Sequence, residues 1–118
     1  VGMERQIRLR RPADFNRVRR DGQSWAHPLL VLAARPNGLA TTRIGVVASR
    51  KVGGAVDRNR AKRLLRESAR QLYPQLAPGW DLVLIARREM IDVGEPQVRA
   101  ALRQLLERSD ALTEETNE

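Results

Sequence analysis

The chain has 118 residues, 42% of them apolar, which suits one compact domain and leaves too few residues for two separate cores. It contains no cysteine, which excludes a disulfide framework, a thiolate metal cluster and a cysteine nucleophile. No apolar run approaches the roughly 20 residues of a membrane-spanning helix, and no signal-like stretch opens the chain, so we expect a cytoplasmic protein without a membrane partner.

The net charge of +8 is concentrated in one part of the chain. Residues 1–72 hold 17 basic and 5 acidic side chains, whereas residues 73–118 hold 5 basic and 9 acidic ones. A regional positive field attracts polyanions, and the usual cytoplasmic polyanion is nucleic acid. Arginine outnumbers lysine 20 to 2, which suits phosphate recognition by guanidinium groups but follows equally well from codon bias in a GC-rich genome.

The first half of the chain predicts one short helix and a group of strands. Pro12, at a first helical position, and the stop at Asp21-Gly22 predict a helix over 12–21. A further strand is predicted at 24–27. The apolar run at 29–34 and the run at 43–49 are separated by turn residues, and this pattern predicts a β-hairpin.

The second half predicts two longer helices with a strand between them. Residues 55–73 contain no proline or glycine and stop before Pro74, and residues 95–109 repeat apolar side chains at helical spacing. The strand at 81–87 is apolar on both faces, which indicates burial on both sides. We predict a single α+β domain over 1–118, in which three helices pack on a small mixed sheet, with disordered ends at about 1–6 and 113–118.

The helix at 55–73 carries the most informative pattern. Its small and apolar residues fall in one arc of a helical wheel, which predicts the core-facing side: Ala61, Leu64, Leu65, Ser68 and Leu72. The opposite arc is polar and basic, interrupted only by Glu67: Asn59, Arg60, Lys62, Arg63, Arg66 and Arg70. Most charged helix faces are simply solvated, but they alternate in sign, because like charges at this spacing repel by a few tenths of a kcal/mol per pair. Five cations against one acid therefore favour nucleic-acid binding.

A second anion site is predicted where this helix begins. Gly53-Gly54 follow a strand that ends at Arg50-Lys51, and they allow the backbone to approach a ligand closely. The free amides of the first helical turn attract phosphate. Helix caps also use glycine, so the turn indicates a site only because four cations flank it: Arg50, Lys51, Arg58 and Arg60.

The residues of the basic segment form a motif with fixed spacing, and residues elsewhere in the chain belong to the same pattern. It comprises Lys51, Gly54-Ala55-Val56, Arg58-Asn59-Arg60, Lys62-Arg63 and Arg66-Glu67, with Phe15 and Gly22 upstream and Asp81 opening an apolar strand that ends at Ala86-Arg87. In this register, about residues 7–110 resemble the protein subunit of bacterial ribonuclease P.

The resemblance implies a fold and a division of labour. The basic helix would join two parallel strands in a βαβ unit by a left-handed crossover, although right-handed crossovers account for about 98% of such connections. The catalytic site would belong to a large partner RNA that binds Mg²⁺, with no metal bound by the protein. That RNA would cut precursor tRNA to expose the mature 5′ end.

The resemblance also assigns roles to residues. Those that match the motif meeting the catalytic RNA are Arg58, Asn59, Arg60, Lys62, Arg63 and Arg66, beside Arg50 and Lys51 of the glycine turn. Those that match a cleft for the single-stranded 5′ leader of precursor tRNA are Phe15, Arg19, Ser49, Lys51 and Arg87. Relatives carry aromatic residues at some positions where this chain has Arg19, Leu30 or Ala33, so leader binding is expected to depend more on arginine. A Phe paired with Val18 could equally belong to the core.

The sequence also bears on two other functions, an autonomous nuclease and a structural protein of another ribonucleoprotein. His27 is the only histidine, and Asp57 and Glu67 lie ten residues apart on one helix, so no acid/base pair or two-metal site is predicted and no catalytic residue is assigned. A basic structural protein of another ribonucleoprotein, such as the ribosome, fits the composition equally well. The spaced motif favours ribonuclease P, and no DNA partner is expected.

Overall fold

The computed structural model describes residues 5–112, which form a mixed sheet with three α-helices. The α-helices are α1 (Pro12–Asp21), α2 (Ala55–Leu72) and α3 (Glu95–Ser109). The strands are β1 (Gln23–Ala26), β2 (Leu30–Pro36), β3 (Arg43–Val47) and β4 (Trp80–Ala86). Short 3₁₀ helices occur at Arg5–Ile7, Tyr73–Gln75 and Arg88–Asp92. The predicted disorder at the two ends lies outside the described residues, except that residues 5 and 6 begin the first 3₁₀ helix.

The strand order is β1-β2-β4-β3, so the predicted hairpin between β2 and β3 is wrong. β4 lies between these strands, antiparallel to β2 and parallel to β3. The connection at 37–42 passes over the start of β4, where Asn37 donates its backbone N–H to Gly79 O at 2.8 Å and its Nδ2 to Trp80 O at 3.0 Å. β2 and β4 are both buried along most of their length, and both are inner strands, so their backbone N–H and C=O groups are paired on both edges.

The parallel neighbours β3 and β4 are connected through α2, which confirms the βαβ unit. The α+β class and the three helices are likewise confirmed. The left-handed sense of the crossover stays an implication of the resemblance.

The helices cover the sheet unequally. α2 and α3 pack on one face and bury residues such as Leu32, Leu65, Leu84 and Leu102 in the main core. α1 covers only part of the other face, where Leu9, Val18, Ala33 and Val83 form a smaller cluster. The apolar arc of α2 is buried as predicted at Ala61, Leu65, Ser68 and Leu72, but Leu64 is only partly buried. A band of sheet beyond α1 therefore stays partly open.

A buried ion pair fixes the start of β4 to its neighbour. The Asp81 side chain, 2% exposed, accepts from Arg43 Nη2 at 2.7 Å and from Arg43 Nε at 2.9 Å. Asn37 Nδ2 donates to the same carboxylate at 2.9 Å. The hydrogen bond to Asp81 raises the pKa of Arg43. Asp81 therefore holds together β3, β4 and the connection before β3, and its role in the motif is structural.

Candidate RNA-binding surfaces

A cavity of about 480 Å³ opens between α1 and the uncovered part of the sheet. Its lining combines apolar sheet residues with cations from separate parts of the chain: Arg19, Val47, Ser49, Lys51, Val52, Ile85, Ala86, Arg87, Arg88 and Glu89. Four of the five residues predicted for a leader cleft lie in this lining, namely Arg19, Ser49, Lys51 and Arg87. We refer to this cavity as the α1 cleft.

The floor of the α1 cleft follows from the register of the sheet. Val47 of β3 is paired with Ile85 of β4, and Ile85 is paired with Val31 of β2. The next row toward the start of β4 contains Ala33 and Val83, which are fully buried within the α1 cluster. Because α1 stops short of the outer row, Val47 and Ile85 remain partly exposed and form an apolar strip. Their sequence pattern alone did not distinguish them from core residues.

The polar rim of the α1 cleft is supplied by chain segments that leave the sheet. After β3, the turn at 49–53 is closed by hydrogen bonds from Val52 N–H to Ser49 O at 3.0 Å and from Lys51 N–H to Ser49 Oγ at 3.3 Å. After β4, Arg87 donates its N–H to Leu29 O at 3.0 Å and leads into the 3₁₀ helix at 88–92. Parallel strands end at the same edge of the sheet, which brings Lys51 and Arg87 to one opening.

Phe15 does not line the α1 cleft. Its ring lies against Gly45 of β3, where an added Cβ would be 2.4 Å from the Phe15 Cζ atom. It packs with the Leu9 and Val18 cluster and borders a second cavity of about 250 Å³. Phe15 therefore packs α1 on the sheet, and its contact with the leader stays a prediction.

The second cavity is basic and lies at the β3 edge of the sheet. Arg8 and Arg10 contribute from the segment that pairs with Ile44, and Arg66 contributes from α2. Burial and, to a lesser extent, the positive charge of Arg8 lower the pKa of Arg66. Within residues 5–112, neither Arg8 nor Arg66 forms an ion pair, so their mutual repulsion is not relieved by a carboxylate.

The basic face of α2 is only partly free. Arg63 and Asn59 are exposed, and Lys62 is half-buried. Arg58 instead donates to Gly53 O at 3.1 Å, and Arg60 donates to Val93 O at 3.0 Å and to Ile91 O at 3.4 Å. The wheel correctly separated apolar from basic residues, but placing Arg60 on a free outward face was wrong, because the segment before α3 packs beside it.

The cations of α2 keep their charge unneutralised within the part of the chain that the structure describes. Arg70 pairs with Glu67 at 2.5 Å, but none of Arg58, Arg60, Lys62, Arg63 and Arg66 pairs with a described carboxylate. The turn at 50–54 adds Arg50 and Lys51, both exposed. Gly53 is required there, because its φ of 149° is unfavourable for other residues and a Cβ would meet Asp57 Oδ2 at 2.5 Å.

The described chain offers neither a metal cluster nor a membrane-spanning helix. Residues 5–112 contain no group of three or more His, Asp and Glu side chains arranged to hold a metal ion. Over the same residues, no helix combines the length and apolar character needed to cross a membrane.

Comparison with known proteins identifies the chain. The model of the ribonuclease P family matches residues 3–110. This chain belongs to the ribonuclease P protein family. The ribonuclease P protein component of Roseiflexus castenholzii is 46% identical over 108 residues, which cover 91% of this chain and 88% of that protein. The component from Dehalococcoides mccartyi is 40% identical over 111 residues, 94% of this chain and 91% of that protein.

Solved structures of the family share the fold. The ribonuclease P protein of Staphylococcus aureus superposes with a TM-score of 0.81 at 29% identity and covers 91% of this chain and 98% of its own. That of Thermotoga maritima gives 0.77 at 35% identity, with coverage of 86% and 96%. The chain is thus the protein subunit of ribonuclease P, an endoribonuclease of tRNA 5′ processing whose catalytic subunit in bacteria is RNA. Nothing in these matches favours the ribosomal alternative.

Proposed function

We propose that this subunit uses two surfaces: the α1 cleft for the 5′ leader of precursor tRNA, and the exposed part of α2 with the turn before it for the catalytic RNA. The observation that carries the proposal is the convergence of Arg19, Ser49, Lys51 and Arg87 on the α1 cleft, because these residues come from three separate parts of the chain. A purely structural basic protein would not require that convergence.

The α1 cleft has the chemistry of a single-strand site. Cations at its rim, Arg19, Lys51 and Arg87, suit the phosphates of an extended strand, and the Val47 and Ile85 strip offers an apolar surface to ribose and base. The lining residues include no aromatic side chain, so base stacking worth about 1 to 3 kcal/mol per ring is not supplied there. Guanidinium planes can stack on bases instead. We expect leader binding with little base preference and strong salt dependence.

The exposed part of α2 and the turn before it suit a folded RNA. Arg50, Lys51, Lys62 and Arg63 present charge without a carboxylate partner among the described residues, and Asn59 adds a polar contact. Arg66 faces the second basic cavity, beside Arg8. Binding to the catalytic RNA should weaken steeply as salt rises, since each neutralised phosphate releases counterions.

Magnesium is assigned to the RNA in this proposal. The subunit would offset phosphate charge and so lower the Mg²⁺ concentration that the RNA requires. Reconstitution of the subunit with the catalytic RNA at low Mg²⁺ should restore cleavage of precursor tRNA. Cleavage by RNA-free protein would contradict the assignment. A cytoplasmic location stays a prediction.

The leader role is tested by comparing two ligands of the assembled complex. Precursor tRNA carrying its 5′ leader should bind more tightly than mature tRNA, and the difference should shrink in Arg87→Ala. Arg20→Ala is a matched control, because Arg20 lies on α1 beside Arg19 but pairs with Asp21 at 3.0 Å. Equal binding of precursor and mature tRNA by the unaltered complex would refute the cleft function.

A further inference from the structure

Arg60 connects the two surfaces through its guanidinium group. It is half-buried on α2, and it donates Nη2 to Val93 O at 3.0 Å and Nε to Ile91 O at 3.4 Å. Both acceptors are backbone carbonyls some thirty residues further along the chain. A planar guanidinium can serve two carbonyls at once because its donors are held in a fixed fork.

The two carbonyls belong to the segment that forms one rim of the α1 cleft. Arg87, Arg88 and Glu89 line the cleft, and the 3₁₀ helix at 88–92 continues from them to Val93. Met90, fully buried, anchors this segment in the core, and its N–H donates to Arg87 O at 3.0 Å. Arg60 holds the far end of the same segment. The rim is therefore fixed at one end to Leu29, the residue before β2, and at the other end to α2.

A guanidinium engaged in this way is less free to bind phosphate than an exposed one. Its Nε–H and one Nη2–H serve the two carbonyls. Moving the guanidinium onto an RNA backbone through those donors would break charge-assisted hydrogen bonds, which are stronger than neutral ones. Arg63, three residues further on α2, offers a comparison: it is exposed and forms no ion pair within residues 5–112. Two arginines of one basic motif thus have different surroundings.

We infer that Arg60 is a positioning residue, which fixes the rim of the α1 cleft to α2 and so links docking on the catalytic RNA to leader recognition. The inference rests on the proposed function of the cleft. It assigns Arg60 a contribution to leader discrimination, and it assigns Arg63 a contribution to affinity for the catalytic RNA.

The test compares Arg60→Ala, Arg60→Lys and Arg63→Ala in the complex reconstituted with the catalytic RNA. For each protein, the affinity for the catalytic RNA is measured against salt, and precursor and mature tRNA affinities are measured on the assembled complex. Arg60→Ala should reduce the preference for precursor by about threefold to tenfold and leave the salt slope unchanged. Arg63→Ala should make the slope shallower by about 1 and leave the preference unchanged.

Arg60→Lys keeps the positive charge at this position and so separates the effect of charge from that of the two hydrogen bonds. A lysine ammonium is a point charge without the guanidinium fork, so this variant should keep the full salt slope and lose part of the leader preference. If Arg60→Lys keeps the full preference for precursor tRNA, the positive charge of Arg60 is sufficient for that preference, and the positioning role is overturned. Faster amide hydrogen exchange at 88–93 in Arg60→Ala should accompany the functional change.

The outcomes separate this inference from the proposal beneath it. If Arg60→Ala weakens catalytic RNA binding with a shallower slope while leader preference stays intact, Arg60 is a phosphate contact and the inference is overturned. If the unaltered complex shows no leader preference at all, the cleft function itself fails, and the role of Arg60 fails with it.

Discussion

Replacing Gly45 by alanine tests how α1 is seated beside the cleft. The new Cβ would lie 2.4 Å from Phe15 Cζ, 2.5 Å from Phe15 Cε1 and 3.1 Å from Leu9 Cβ. Carbon atoms in contact are normally about 3.5 to 4.0 Å apart, so the ring must move by about 1 Å or more. Since Phe15 is part of α1, that movement would shift the wall that carries Arg19.

The expected effect of Gly45→Ala on the free energy of unfolding is the difference between an unfavourable packing contribution and a favourable backbone contribution. Overpacking by one methyl group costs about 1 to 3 kcal/mol. Gly45 does not have a positive φ, so alanine fits its backbone and recovers about 0.4 to 1 kcal/mol by restricting the unfolded chain. We expect a net loss of about 1 to 2 kcal/mol in the free energy of unfolding, or a Tm lower by about 4 to 8 °C in a domain of this size.

A double-mutant cycle with Phe15→Leu isolates the clash. Leucine lacks the two ring atoms nearest the new methyl, so Gly45→Ala should cost less in the Phe15→Leu background, with a coupling of about 1 kcal/mol in denaturant titrations. Gly54→Ala is the matched control, because nothing lies within 4 Å of its added Cβ; it should cost at most about 1 kcal/mol as a weaker N-cap. Additive costs for Gly45→Ala and Phe15→Leu would refute the placement of the ring.

Four other outcomes are expected. Asp81→Ala should lower the free energy of unfolding by about 2 to 4 kcal/mol, because it leaves Arg43 with only a 4.0 Å contact to Asp14, and Asp81→Asn should cost less; equal costs in urea titrations would contradict the charge argument. Leu65→Ala should cost about 2 to 5 kcal/mol, and Leu64→Ala clearly less, since only Leu65 is fully buried. Arg63→Ala should leave Tm nearly unchanged, and loss of folding would show that its exposed position is wrong. The hydrogen bond with Arg70 lowers the pKa of Glu67 in the folded protein. The contribution of this pair to folding stability is therefore present above the ordinary carboxyl pKa and is lost as the pH falls through the lowered value. An NMR titration that gives Glu67 an ordinary pKa would contradict the pair.

Several structural features followed directly from local sequence. α1 spans the predicted residues 12–21, and α3 spans 95–109, because proline near each start and the turn residues at each end act within a few residues of themselves. α2 ends one residue earlier than predicted, since the chain winds into a 3₁₀ helix through Pro74. The basic motif was specific enough to indicate the family, because its spacing fixes which side chains share a helix face.

The sites were harder to predict, because they depend on neighbours that are distant in sequence. The convergence of Arg19, Ser49, Lys51 and Arg87 was anticipated only through the family resemblance. Val47 and Ile85 line the α1 cleft because α1 is too short to cover them, which no periodicity in β3 or β4 reveals. The surroundings of Phe15 and Arg60 could not be predicted for the same reason: the Phe15 ring packs on Gly45, and the Arg60 guanidinium donates to the carbonyls of Ile91 and Val93.

What the sequence determined by itself was the set of helices and strands, the apolar arc of α2 and the excess of positive charge before residue 73. These features depend on residues that are close together in the sequence and on helical or strand periodicity. The tertiary structure decided which strands are neighbours, since β4 pairs with β2 and β3, which are distant from it in sequence. It also decided which cations are free to bind RNA, because a side chain's availability depends on what packs beside it, and those contacts come from remote segments.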